Sequence, residues 1–445
     1  MAKQAQAKSI PKVAFDRATQ KAVFEKHLGN FLHPRGSHLI ERTRPLGEWI
    51  DQRSTLETWP YSRALATAPS AMTRLTGQNG SIVEGINFGS QDYLGLSSHP
   101  EIHMAVLEAL REYGPHTASS PMLQGNTLVS RKLEHSLAEL LDTRHVMLFP
   151  TGWAAGFGSI AGLVGPNDYV VIDQLAHACL TQGAKAATRK HFSFAHNDTE
   201  SVRERLDAIR AKDAANSILV VTEGVFSMDS DSPDIFKLQG ICREFEAVLM
   251  VDVAHDLGAS GPSGAGQIGL QNMLGEVDLI VGSFSKCFAS NGGFLATHDR
   301  SVKQFLSVYG GPYIFSNALS PLQAAIVMEA LRIVRSDEGE ALRDRSLQNI
   351  NHLRDSFSQR GVLCLGRPTN VVPVIVGDET LAKWTSRFLE GSGLLANLVE
   401  FPAVPKGTAR FRFQVMATHT SDQIDDAVTI FCEASEAARE MTDCD

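Results

Sequence analysis

"VDVAHDLGASGPSGAGQIG", residues 251–269, ends a short apolar run on Asp252, sets His255 three residues later, and then gives way to small residues and glycines. A second run of the same kind, "DLIVGSFSKCFASNGG" at residues 278–293, delivers Lys286. Working outward from these two, apolar segments alternate with amphipathic helical patterns. "HVMLFP", "DYVVID", "SILVVTEG", "AVLMVDVA" and "DLIVGSFS" read as strands, and "LVSRKLEHSLAELLD" and "TESVRERLDAIRAK" as helices between them. Val/Ile/Leu runs separated by helices predict an α/β fold whose mostly parallel sheet is buried on both faces. Ligands bind such sheets at the carboxyl ends of the strands. Gly152, Asp173, Glu223, Asp252 and Ser283 fall there.

The rest of the chain divides around this sheet. Residues 1–60 read as a solvated helical arm, with "RATQKAVFEKHLGNFL" broken at "HPRG" and "RTRPLG". Residues 61–331 form the large unit. One long helix, "SPLQAAIVMEALRIVRSDEGEALRDRSLQNINHLRDSFSQR", leads into a smaller α+β unit over 332–445 with strands "VVPVIVGD" and "ARFRFQVM".

Composition excludes several functions. With 445 residues, a net charge of −9 and 43% hydrophobic residues, the chain has the makeup of an ordinary soluble protein and nothing global that attracts nucleic acid. No apolar run approaches the ~20 residues that span a bilayer. The N-terminus lacks the apolar core of a secretory signal, and "MAKQAQAKSIPKVAF", though free of acids, is poor in the Arg and Ser of a mitochondrial presequence. The six cysteines show no CxxC pair, which predicts reduced thiols in a cytoplasmic setting and no metal site. Cys287, beside Lys286, reads as a small buried neighbour of the lysine.

Taken as one site, the strand-end residues suit a particular chemistry. A lysine amine forms a Schiff base with an aldehyde cofactor. An aspartate at a neighbouring strand end keeps a pyridine nitrogen protonated, and the two together are the protein's side of a pyridoxal phosphate (PLP) site. "FPTGWAAGFGSIAGL" runs strand, turn, helix, with Gly152 and Trp153 at the turn, where backbone amides bind a phosphate. Ser283 and Ser285 precede the lysine as hydroxyl donors, His177 is placed to cover the ring face, and His255 to reach its phenolic oxygen. An isolated Asp-x-x-His or Ser-Lys carries no such meaning; the joint order of these pieces does.

At these residues the chain resembles the α-oxoamine synthases, PLP enzymes of fold type I. The carriers are "QDYLGLSSHP", "MLQGNT", "PTGWAAG", "DQLAHACLTQG", "EGVFSMDSDSPD", the two opening stretches, "PYIFSNALSP", "VVPVIVGD" and "PAVPKGTARFRFQVMATHT". The resemblance implies a large domain with a mostly parallel seven-stranded sheet and a small α+β C-terminal domain. It implies that Lys286 carries the cofactor and moves the proton, Asp252 pairs with the ring nitrogen, His255 with the phenolic oxygen, and His177 stacks on the ring. Gly152, Trp153, Ser283 and Ser285 would hold the phosphate with Ser316 of the partner subunit, and Glu223 would lie in the same site. Arg412 would bind the amino-acid carboxylate, with Tyr93 also at the substrate. The implied reaction is a decarboxylative Claisen-type condensation of an amino acid with an acyl thioester, in a cytoplasmic homodimer, closest in pattern to the serine palmitoyltransferases.

The chain also departs from that pattern. Val253 stands for a glutamate, Asp256 for a small hydroxyl residue, and Phe288 and Ala289 for glycine after the lysine. Pro121 stands for an arginine, and Glu400 and Phe401 for Arg-Pro. These changes leave open the amino acid, the acyl chain, and whether coenzyme A or a carrier protein delivers it. Asp256 and Glu400 suit a cationic group, or are acids in solvent, which is the plainer expectation. Two other readings stand beside the synthase: an aminotransferase, aldolase or decarboxylase of the same fold, and a non-catalytic regulatory subunit, which Lys286 opposes.

Overall fold

The computed structural model describes residues 17–77 and 80–443. The stretch "MAKQAQAKSIPKVAF" and Cys444 lie outside the described residues. The strands are β1 (Met72–Thr76), β2 (Ile82–Phe88), β3 (His145–Phe149), β4 (Tyr169–Asp173), β5 (His191–Phe194), β6 (Ile218–Glu223), β7 (Val248–Asp252), β8 (Leu279–Ser283), β9 (Gly293–Thr297), β10 (Val371–Gly377), β11 (Leu394–Val399) and β12 (Ala409–Gln414). Among the described residues they form a seven-stranded sheet in the order β3-β9-β8-β7-β6-β4-β5 and a five-stranded sheet in the order β1-β2-β11-β12-β10.

The larger sheet is parallel except at β9, which pairs antiparallel with both β3 and β8. Its central strands are apolar on both faces because helices cover both. Val220, Leu249, Val251 and Ile280 pack into one layer and Val221, Met250 and Val281 into the other. Burying each such side chain contributes roughly 1.5–3 kcal/mol, which is why the sequence shows runs here and not alternation.

The smaller sheet is covered by the helices Asp337–Gln359, Glu379–Gly391 and Ser421–Asp443. Residues 72–88, grouped with the large unit on sequence grounds, pair into this sheet, with β2 running parallel to β11. Gly85 permits that approach, since a Cβ there would lie 2.4 Å from the carbonyl oxygen of Gly393. The single long helix expected from residue 320 is two, Pro321–Val334 and Asp337–Gln359. Ser336 ends one and caps the next, its hydroxyl accepting from the Gly339 amide.

The arm is docked in part and solvated in part, with Leu32, Leu39 and Ile40 exposed. Val23, Phe24, Trp49 and Leu56 are buried against Trp384 of the small domain, and Lys383 donates to the carbonyls of Phe24 and Lys26 at 3.0 and 3.1 Å.

Candidate active site

The carboxyl ends of β3, β4, β6, β7 and β8 meet at a cavity of about 260 Å³. Gly152, Trp153, His177, Glu223, Asp252, His255, Ser283, Ser285 and Lys286 all line it. The order of strands in the sheet brings them together. β6, β7 and β8 are neighbours, and Glu223 stands directly opposite Asp252 in the β6–β7 register.

At one end of the cavity is the N-terminus of the helix Gly152–Leu163. Thr151 caps it, accepting from the Ala154 amide at 3.0 Å. The first amides of a helix have no intrahelical partner and favour an anion. Ser283 and Ser285 stand beside it with their hydroxyls 2.8 Å apart. Only glycine fits at 152, where a Cβ would lie 2.4 Å from that of Ser283.

The other residues form a tightly coupled group of charges. Burial lowers the Lys286 amine from its ordinary range, and Arg412 adds to this, while the carboxyls of Asp252 and Glu223 oppose it. An amine so held is unprotonated more of the time and is a better nucleophile and base. Asp252 is raised by burial, against the nearby lysine and an amide from Ala254 at 2.9 Å. Glu223 is pushed well up by burial and by the charge of Asp252, and it accepts the His177 amide at 2.5 Å. The His177 ring is lowered by burial. Its Nδ1 accepts the Cys179 amide at 3.3 Å and lies 3.0 Å from the Cys179 thiol, so the neutral ring is fixed in orientation.

His255 is held well below its ordinary value by burial and by the Lys286 and Arg412 cations. The Tyr93 hydroxyl lies 2.9 Å from its Nδ1. Burial also raises the Tyr93 phenol, and the hydroxyl and the ring share one hydrogen bond whose donor is set by the tautomer of His255. Tyr93, expected at the substrate, is fully buried and reaches the site through His255. Ser316 does not line its own chain's cavity.

Arg412 comes from the small domain, on β12 opposite Asn397 of β11. It lines an adjoining cavity of about 840 Å³ that also contains Lys286, and its Nε is buried without a hydrogen-bond partner among the described residues. An orphaned guanidinium donor facing a lysine fits a carboxylate ligand. The donors therefore fit a phosphorylated pyridine aldehyde: helix amides and hydroxyls for phosphate, a buried carboxyl for the ring nitrogen, an activated amine for the aldehyde, and an arginine for the substrate.

Three of the departures from the family pattern, Val253, Asp256 and Glu400, have structural explanations. Val253 packs into the apolar core and does not line the cavity. Asp256 and Glu400, expected in solvent, are both buried. Asp256 accepts from the Gln267 amide at 2.6 Å. Glu400 accepts from Arg53 at 2.8 Å and from Tyr61 at 3.1 Å. No residue pattern marked Thr151, Cys179 or Asn397; the first was legible as a Thr one residue before the glycine turn.

Residues 83–431 match the family model of the class I and II aminotransferases. Serine palmitoyltransferase from Sphingobacterium spiritivorum is 35% identical over 341 residues, covering 77% of this chain and 84% of that protein. An 8-amino-7-oxononanoate synthase from Geobacter metallireducens is 35% identical over 366 residues, covering 81% of this chain and 92% of that one. Among solved structures, a serine palmitoyltransferase from S. paucimobilis with a PLP–myriocin adduct superposes with a TM-score of 0.83 at 26% identity, covering 90% of this chain and 99% of that chain.

Proposed function

The chain belongs to the class I and II aminotransferase family, among its α-oxoamine synthases, and from that premise we propose that it condenses an amino acid with an acyl thioester, breaking the C–S bond and releasing the free thiol, carbon dioxide and an α-amino ketone. It is a PLP-dependent acyltransferase. The observation that carries the proposal is the gathering of Lys286, Asp252, His177 and His255 in one cavity that adjoins the Arg412 guanidinium.

When bound, PLP supplies an electron sink beside the substrate's α-carbon. Gly152, Trp153, Ser283 and Ser285 would hold the phosphate, and Asp252 would hold the proton on the ring nitrogen. Arg412 grips the amino-acid carboxylate and so fixes which α-carbon bond faces Lys286. Lys286 Nζ removes the α-proton, and its lowered affinity for protons suits it to that task. His177, which lines the cavity, would cover one face of the ring and exclude water. His255, positioned by Tyr93, donates toward the phenolic oxygen. Glu223 accepts the His177 backbone amide and so holds that residue in place.

The working unit is a homodimer in the cytoplasm. Phe315 is 88% exposed and Leu123 76%, and both lie within the stretches "PYIFSNALSP" and "MLQGNT" that carry the resemblance. Such apolar exposure favours burial against a second copy, which would bring Ser316 of the partner subunit to the phosphate. The described cysteines are free thiols, consistent with a reducing compartment. Among the described residues no helix is long and apolar enough to cross a membrane.

The test is a titration of the PLP-loaded protein with amino acids, followed by its visible spectrum. One amino acid should shift the spectrum saturably, and Lys286→Ala should lower turnover by roughly 10²–10⁴. A spectrum indifferent to every amino acid would contradict the proposal.

A further inference from the structure

Arg412 and Asn397 form a wall shared by two cavities. One holds Lys286; the other, of about 730 Å³, reaches under the N-terminal segment. The second is lined by apolar side chains, among them Phe31, Leu32 and Leu46 from that segment and Leu398, Val399 and Pro402 from β11 and the loop after it. Its volume is within the ~300–1,000 Å³ of cavities that enclose drug-sized ligands and exceeds what an ordinary amino-acid side chain needs.

The charges around this chamber are already engaged. Its charged lining residues are Arg412 and Glu400. Glu400 is paired with Arg53 at 2.8 Å, both side chains being at most 1% exposed, and Lys383 is 3.6 Å from the same carboxylate. The Lys383 ammonium also donates to two backbone carbonyls. Arg412 is committed to the amino-acid carboxylate in the reading above. A second carboxylate inside the chamber would face Glu400 with no free cation among the described lining residues, a desolvation cost that they do not offset.

We propose that this chamber receives the acyl chain of the thioester and selects an unbranched apolar chain over one that ends in a carboxylate. The inference rests on the function proposed above. It assigns specificity to the N-terminal segment, to Met228 and to the loop around Ala403, none of which touches the cavity containing Lys286.

The experiment measures binding of non-reactive S-alkyl thioethers of coenzyme A to the PLP-loaded full chain by calorimetry, using hexyl, decyl, hexadecyl and ω-carboxydecyl groups. Acyl-dependent carbon dioxide release is measured in parallel. Affinity should rise with chain length by up to roughly fourfold per methylene until the chamber is full, and carboxydecyl should bind at least about tenfold more weakly than decyl. Ala403→Trp, at an exposed position on the chamber's edge, should remove the advantage of hexadecyl and leave hexyl binding unchanged. Met228→Lys should narrow or reverse the discrimination against carboxydecyl. Affinity flat in chain length, or carboxydecyl binding as well as decyl, would overturn the proposal. So would variants that alter binding of 2-aminodecanoate and not of the thioethers, which would assign the chamber to the amino acid. If the thioethers bind as expected but no acyl thioester releases carbon dioxide, the chamber stands and the reaction is wrong.

Discussion

Ala289 shows how one substitution can be read once its backbone is known. It stands where the family has glycine, three residues after Lys286, at φ +52°. The left-handed region costs an L-residue about 1–2 kcal/mol, so the glycine serves the turn and not the chemistry. Ala289→Gly is expected to raise stability in denaturant titrations by about 1 kcal/mol with activity retained.

Asp256 is the more consequential change, because it buries an acid where the family has a hydroxyl. Burial, with the charge of Asp252 adding to it, pushes its carboxyl up to about 7 against the Gln267 amide. In the unfolded chain the group titrates near the usual ~3.9. Between those two values the native state keeps a proton that the unfolded state has lost, so this residue makes stability fall as pH rises from about 4 to 7 and then level off. Asp256→Asn should flatten that interval in pH-dependent thermal unfolding. An unchanged profile would mean that the carboxyl is not held protonated.

At the scale of elements, the docked N-terminal segment depends on a buried ion pair. Arg53 is 0% exposed, bonds Glu400 and the carbonyl of Thr58, and stacks near the rings of Trp49 and Trp59. Removing one partner of such a pair costs about 3–5 kcal/mol. Arg53→Met should lose that much stability, and adding Glu400→Gln should restore part of it in a double-mutant cycle.

The elements also show what was legible. β6, β7 and β8 stand out because burial on both faces enforces apolar runs, and the catalytic candidates were found because they end those runs. β9 and β11 escaped notice: "GFLAT" is short and begins on the second of two glycines, and "LLANLV" continues a helix without a proline between them. The break at Ser336 carried a signal that went unused, a serine followed by Asp337, Glu338 and Glu340. The Tyr93–His255 bond and the Arg53–Glu400 pair join residues 162 and 347 positions apart. No periodicity encodes such contacts.

Across the whole molecule, the site belongs to both domains. The large sheet supplies the cofactor residues from its strand ends, and β12 of the small domain presents Arg412. β1 and β2 tie the chain before the large sheet into the small one, and the N-terminal segment packs on the same side. On the function proposed above, substrate recognition would fall to the small domain and its attachments, where the departures Glu400 and Phe401 lie, while the cavity at the strand ends keeps the residues expected for the cofactor. This division explains why the cofactor was legible and the substrates were not.

The most direct measurement follows labelled carbon dioxide released from a carboxyl-labelled amino acid by the PLP-loaded protein, with and without an acyl-coenzyme A, alongside the α-amino ketone product. Release that requires the thioester and matches the ketone mole for mole is the expected result. Release without the thioester, or amino-group transfer with no carbon dioxide, would contradict an acyl condensation and point to a decarboxylase or aminotransferase on the same fold.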